Sequence, residues 1–215
     1  MNRDRMLIAL AGAGLVIAIA LVIAIVVAAH GSDRQSQASG PPPGPYRGSE
    51  PPGQNELVPF ALAGYRGGRV SSAQLRGKVV ALTFLESKCK EACPIIAVQV
   101  ARGVDLLTPS ERRQVRAIAI STQPFDDTRR NVRRFLARRH AIGRLDYLIG
   151  TERELRPVWR RYHILSALDS GDADTHSASL HIYDRNGVWV SSLHPGIDLT
   201  PENFVHDVRR ALQSS

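Results

Sequence analysis

Residues 77–96, with the sequence GKVVALTFLESKCKEACPII, combine an apolar run, both cysteines of the chain and the start of a helical pattern. The continuous apolar run at 79–84 is typical of a strand that is buried on both faces. Pro94 suits a first helical turn, and IIAVQVARGVDLL then carries apolar residues at helical spacing to Leu107. The sequence therefore predicts a central strand, a loop with Cys89 and Cys93, and a helix.

Strand-like and helix-like segments alternate on both sides of this unit. A hairpin around Gly67-Gly68 precedes it. After it come a second buried strand (VRAIAIS), an arginine-rich helix capped by Asp127 or Thr128 and a short strand (LDYLIG). The chain then continues with a helix from Thr151, in which Pro157 predicts a kink or a short first segment, a hairpin around Asn186-Gly187 and a final helix capped by Thr200. This order predicts an α/β fold with a mixed sheet covered by helices on both faces.

The first 54 residues have a different character from the rest of the chain. Residues 7–29 lack strongly polar side chains, and 23 residues in a helix span about 34 Å, enough to cross a hydrocarbon core of about 30 Å. We interpret them as a transmembrane anchor, with a cleavable signal peptide as the alternative. Residues 30–54, rich in Pro, Gly and Ser, are predicted to form a flexible tether, and residues 55–215 the globular domain.

The flank of the apolar segment predicts the orientation of the chain. Residues 1–6 carry Arg3 and Arg5 against Asp4, which by the positive-inside rule keeps this stub cytoplasmic. The expected arrangement is a single-pass protein of the cell membrane with an extracytoplasmic domain, where a disulfide can persist. The formal charge of +8 does not indicate a nucleic-acid partner, because an exported domain rarely meets nucleic acid. We interpret the arginine-rich helix as a solvated face, with docking to anionic headgroups or to an acidic partner as the alternative.

The two cysteines indicate a reactive or metal-binding site more than a structural disulfide. A disulfide across so short a loop is worth only about 2 kcal/mol. The helix start and the neighbours Lys88 and Lys90 favour low thiol pKa values, and side chains at i and i+4 share one helical face. Two thiolates suit a soft metal ion: with one imidazole they would match Cu(I), whereas Zn(II) wants a further ligand.

A histidine is the missing ligand of such a site. His30, His140, His163, His194 and His206 are expected to be ordinary surface or loop residues. His181 lies inside a predicted strand and is expected to be packed there. His176 lies in the polar loop SALDSGDADTHSAS just before that strand, and it is the favoured third ligand.

These segments resemble the Sco/SenC family of copper-binding, thioredoxin-like proteins. ALTFLESKCKEACP matches the family's buried strand followed by C-x-x-x-C-P, and THSASLHIYDRNG matches its later histidine loop, strand and turn. The resemblance covers residues 56–212. It implies a thioredoxin-like fold and copper ligands at Cys89, Cys93 and His176; Ser87, Lys90 and Thr175 depart from the family pattern without removing a ligand.

Two functions remain open at this point. The first is a copper chaperone that, as the resemblance implies, supplies the dicopper centre of a cytochrome oxidase subunit. The second is a thiol–disulfide oxidoreductase in which Cys89 and Cys93 cycle between dithiol and disulfide and reduce acceptor cysteines. A distant imidazole matters only for the first. A thiol peroxidase is disfavoured because no Thr-Pro approach to a reactive cysteine is present.

Overall fold

The structure, a computed structural model, describes residues 44–51, 53, 56–164 and 179–214. These residues form one seven-stranded mixed sheet in the order β2-β1-β5-β4-β3-β6-β7. Strands β3, β4 and β5 are parallel, and the others join antiparallel. Their bounds are Ala61–Gly64 (β1), Arg69–Ser71 (β2), Val79–Leu85 (β3), Val115–Ser121 (β4), Asp146–Ile149 (β5), Leu180–Tyr183 (β6) and Trp189–Leu193 (β7).

Helices cover both faces of the sheet, as the sequence predicts. The α-helices in the described residues are Ala92–Leu106 (α1), Pro109–Gln114 (α2), Arg129–Ala137 (α3), Glu152–Arg161 (α4) and Pro201–Gln213 (α5), with a short 3-10 helix at Ser72–Leu75. Apolar side chains of α1, α3 and α5 form one core with alternate residues of the strands. Those of α4 form a second core on the opposite face. The mixed α/β sheet flanked by helices is thus confirmed.

Local sequence signals account for the starts of most of the helices. The hydroxyls of Thr128 and Thr200 accept hydrogen bonds from the backbone of the first turns of α3 and α5. Thr128 is thus the cap of the arginine-rich helix, and Asp127 has another role. Pro157 lies inside a continuous α4, so of the two alternatives predicted there the short first segment was wrong, and the kink stays a prediction. Helix α2 was not predicted; Thr108 and Glu111 close a capping box at its start.

The amino-terminal predictions fall largely outside the described residues. Residues 1–6, the predicted anchor at 7–29 and the tether as far as residue 43 are not described, and within the described ranges no helix has the length and apolarity needed to span a bilayer. Residues 46–49 are described, and they pack on the domain: the Arg47 and Gly48 amides donate to the Asp207 carboxylate, and Ser49 bridges to Ser192 in β7.

The sheet register brings two distant parts of the chain to one edge. Strand β6 runs antiparallel to β3 with Thr83 opposite Leu180, so β6 begins where β3 is about to end. The Thr83 hydroxyl donates to the Ser179 carbonyl at 2.9 Å and fixes this junction. The loop that carries the cysteines leaves β3 at the same edge.

Candidate metal centre

Cys89 and Cys93 lie together at the carboxyl edge of β3. Cys89 is in the loop after the strand and Cys93 is in the first turn of α1, with 7% and 6% of their surfaces exposed. Neither forms a disulfide, and their side chains are hydrogen-bonded to each other. Because α1 begins at Ala92, the pair does not share a helical face as expected; the loop itself brings the two sulfurs together.

The surroundings of Cys93 disfavour its thiolate. The hydrogen bond with Cys89 and burial in the core raise the pKa of the Cys93 thiol, and the nearby Glu86 carboxylate adds to the rise. A hydrogen bond from the Glu86 backbone acts in the opposite direction without cancelling it. The low pKa predicted from the helix start and the lysines was therefore wrong for Cys93.

Glu86 is an acid that the sequence did not single out. It is the first residue after β3, with only 7% of its surface exposed, and its Oε2 has no hydrogen-bond partner among the described residues. Burial, together with the negative charges of Asp127 and Cys89, raises the pKa of Glu86 to about 7. The pKa of Glu86 therefore depends on the charge of the sulfurs, because a nearby thiolate and a carboxylate repel each other.

Asp127 holds the base of the cysteine loop. Its Oδ1 accepts from the Ser87 amide at 2.8 Å, and its Oδ2 accepts from the Ser121 and Tyr147 hydroxyls at 2.7 and 2.8 Å. The Tyr147 hydroxyl also lies 2.7 Å from the Leu85 carbonyl at the end of β3. Burial raises the pKa of Asp127, with these hydrogen bonds opposing the rise. One carboxylate thereby connects the loop with β4 and β5.

The third predicted ligand, His176, lies outside the described residues. The described ones contain no group of three His, Cys, Asp or Glu side chains that could hold a metal ion. His176 precedes Leu180 by four residues, and four residues of chain reach at most about 14 Å. Since β6 begins beside the end of β3, the chain enters β6 at the same edge as the cysteine loop.

The other strand histidine of the hairpin is packed, as expected. His181 is buried, stacks on Trp189 with ring centroids 4.2 Å apart, and its Nε2 lies 2.7 Å from the Ser179 hydroxyl. Burial, assisted by His194, lowers the pKa of His181 to about 4, which keeps the ring neutral. It belongs to the face of the sheet opposite the core that contains the cysteines.

Comparisons with known proteins agree on one family. The SCO1/SenC family model matches residues 49–213. Protein SCO1 homolog 1, mitochondrial, of Arabidopsis thaliana is 25% identical over 158 residues, which are 71% of this chain and 47% of that protein. The chain thus spans about half the length of this curated relative.

Solved structures show the same fold. ScoI of Bradyrhizobium japonicum with copper bound has a TM-score of 0.60 at 27% identity, covering 74% of this chain and 100% of that one. BsSco, a member of the Sco family of cytochrome c oxidase assembly proteins in which a disulfide switch was identified, has a TM-score of 0.63 at 22% identity, covering 76% and 96%. The thioredoxin-like arrangement of these Sco proteins is therefore that of this chain.

Proposed function

The chain belongs to the SCO1/SenC family, and from that membership we propose that it is a membrane-anchored, extracytoplasmic copper chaperone that delivers copper to the dicopper centre of a cytochrome oxidase. The copper-bound ScoI relative supports copper as the cargo, and BsSco, from a family of oxidase assembly proteins, supports the acceptor.

One observation carries this proposal: two buried, mutually hydrogen-bonded thiols lie at the sheet edge where β6 begins, and His176 precedes β6 by four residues in the sequence. Two soft sulfur donors are the set that Cu(I) prefers over harder ions. They supply only two ligands, so the proposed site is completed by the His176 imidazole.

The site's own residues account for loading and release. The raised pKa of Cys93 means that its thiol holds a proton until a soft cation replaces it, and binding at this sulfur releases that proton. The network around Asp127 keeps the loop fixed meanwhile. Delivery is then a ligand exchange, in which thiolates of the acceptor displace Cys89, Cys93 and His176 in turn.

Cu(I) binding by the reduced full-length chain tests the proposal. A competition titration with a chromogenic Cu(I) chelator should give one ion per chain, with affinity at least tenfold lower for Cys89→Ser, Cys93→Ser and His176→Ala, by analogy with the loss of a ligand or its support. His163→Ala, at an exposed position, is the matched control and should bind like the parent. Equal affinities for all five proteins would refute the copper site.

Membrane attachment is proposed on the composition of residues 7–29 alone. Deletion of residues 7–29 should release the protein from sedimenting membranes, whereas deletion of residues 30–43, which leaves the segment 46–49 on the domain, should not. Release by both deletions, or by neither, would contradict the anchor.

Thiol–disulfide exchange is the second candidate, favoured by two adjacent cysteines that are not joined in a disulfide and by the disulfide switch of BsSco. Exchange requires the cysteine pair and no imidazole. A reductase would therefore keep its rate toward an acceptor disulfide in His176→Ala and lose it in Cys89→Ser, whereas copper binding is sensitive to both substitutions.

A further inference from the structure

A cavity beside Cys89 is lined by cationic side chains. It has a volume of about 400 Å³, and its walls come from the cysteine loop and from α3 with the residues that follow it. Five of the lining residues are cationic and none is acidic. We call them the basic rim: Lys88, Lys90, Arg134, Arg138 and Arg139.

The fold fixes the basic rim next to the sulfur. Helix α3 buries Val132, Phe135 and Leu136 in the same core that contains both cysteines, which leaves its arginines around the cavity and toward solvent. The Arg139 guanidinium lies 4.0 Å from the centroid of the Phe135 ring, and it donates to the Phe135 carbonyl at 3.0 Å. These two contacts fix the position of the Arg139 guanidinium beside the cavity.

The arginines of α3 and of the turn that follows it have no acidic partners among the described residues. Some arginines elsewhere do pair with a carboxylate, for example Arg116 with Asp146 at 2.6 Å and Arg144 with Asp105 at 2.7 Å. Among the described residues, none of the six arginines at positions 129–139 forms an ion pair, and on the basic rim only Lys88 has one, with Asp126 at 2.5 Å. In the part of the chain that the structure describes, the positive charge of these arginines is therefore not compensated by ion pairs.

Spacing makes these arginines unfavourable for the isolated helix. Arg129 and Arg133, Arg130 and Arg134, and Arg134 and Arg138 are four residues apart, a separation at which like charges repel. A helix face selected only for solubility alternates its charges. The arrangement therefore suits a surface whose charge is neutralised by something that binds there.

We propose that the basic rim is the docking surface for an acidic face of the protein that receives the metal. This inference rests on the proposed function, because it concerns the partner of the same cysteine site. Charge complementarity at a rim steers association and fixes orientation. A bilayer on the same surface would cover Cys89 and obstruct exchange, so an acidic protein is the occupant that the geometry favours.

The experiment is Cu(I) transfer from the loaded full-length chain, with phosphatidylcholine vesicles present, to synthetic two-cysteine peptides flanked by aspartates, by serines or by lysines. The Cu(I) bonds to Cys89 and Cys93 are replaced by bonds to the peptide thiolates, and the protons of the peptide thiols pass to the two cysteines. At about 20 mM salt the aspartate peptide should react about tenfold faster than the serine peptide, and the difference should vanish at about 500 mM salt.

The double variant Arg134→Gln/Arg138→Gln should remove most of the preference for the aspartate peptide without changing transfer to the serine peptide. The matched control is Arg153→Gln/Arg160→Gln, which removes the same charge from exposed positions on α4, across the sheet. It should keep the preference. Glutamine has a helix propensity similar to that of arginine, so both variants should fold.

The outcomes separate this inference from the function on which it rests. No copper transfer to any peptide would refute the proposed function. Transfer at equal rates to all three peptides, or equal losses in both double variants, would overturn the basic rim as a docking surface while leaving copper delivery intact. If phosphatidylglycerol vesicles protect α3 from hydrogen exchange and slow transfer to the aspartate peptide, the surface binds lipid and the proposal is wrong.

Discussion

Replacement of Glu86 by glutamine should stabilise the metal-free, reduced protein at alkaline pH. Glu86 is buried at the end of β3, and its pKa of about 7 lies above the ordinary 4.5 because burial and nearby negative charges oppose ionisation. A folded-state pKa above the unfolded value gives stability that is fully present below pH 4.5 and is lost as the pH rises through 7. Glutamine is nearly isosteric and does not ionise.

The size of the effect follows from the two pKa values. A difference between about 7 and 4.5 corresponds to about 3 kcal/mol. Water that reaches the loop reduces this figure, so we expect Glu86→Gln to gain about 2 kcal/mol in the free energy of unfolding at about pH 8.5, and nothing at about pH 4.5. The gain should grow through the neutral range.

Urea unfolding between these pH values, with a metal chelator and a reductant present, measures the gain. Glu111→Gln is a control of opposite sign, because Arg209 and Thr108 lower the pKa of Glu111 to about 2. That exposed pair is worth less than about 1 kcal/mol, and its loss should destabilise the protein at neutral and alkaline pH. Parallel stability curves for the parent and Glu86→Gln would refute the claim that the Glu86 carboxylate is held away from water.

Three further substitutions test the packing. The His181→Phe variant keeps a ring stacked on Trp189, but this ring cannot be protonated. The pKa of His181 is about 4 in the folded protein and 6.5 in the unfolded chain. As the pH falls from 6.5 to 4, the free energy of unfolding, measured with urea, should therefore decrease by about 3 kcal/mol more in the parent than in the variant. Gly103→Ala places a Cβ 2.3 Å from Phe204 Cδ1 and should lower the unfolding free energy by about 1–3 kcal/mol. The Arg47 amide and the Ser191 hydroxyl each donate to one oxygen of the Asp207 carboxylate, and Asp207→Asn replaces one of these two acceptors. The substitution should lower the free energy of unfolding by about 1–3 kcal/mol and speed hydrogen exchange at the Arg47 amide.

Each of these three has its own check. Equal acid loss in the parent and His181→Phe would contradict the buried, neutral ring. Phe204→Leu combined with Gly103→Ala should recover part of the lost stability, and strict additivity would show that the two sites do not touch. Unchanged exchange at the Arg47 amide in Asp207→Asn would show that residues 46–49 are not held by that carboxylate.

Local patterns predicted the framework of the domain well. The apolar run that became β3, the turn residues Asn186-Gly187 and the threonine caps all act through neighbours a few residues away, so they can be interpreted without tertiary information. The same holds for the position of the cysteines at the end of a strand. Helix α2 was missed because its six residues carry no apolar stripe, only a capping box.

The electrostatics of the site could not be predicted in this way. Asp127 meets Tyr147 across 20 residues of sequence and Ser87 across 40, and no spacing rule connects them. The expected low thiol pKa rested on a helix start and two lysines, whereas in the fold the hydrogen bond with Cys89 and burial raise the pKa of Cys93, and the Glu86 carboxylate adds to the rise. These contacts exist only in the folded domain, and they reverse the direction of the pKa shift expected for the Cys93 thiol.

The three donors that meet at Asp127 come from three separate segments: the start of the cysteine loop, the end of β4 and β5. The backbone that leads to the two sulfurs is thus held in position by side chains that are themselves buried, those of Ser121, Asp127 and Tyr147. Substitution of the exposed Lys88 or Lys90 should consequently leave the spacing of the two sulfurs unchanged.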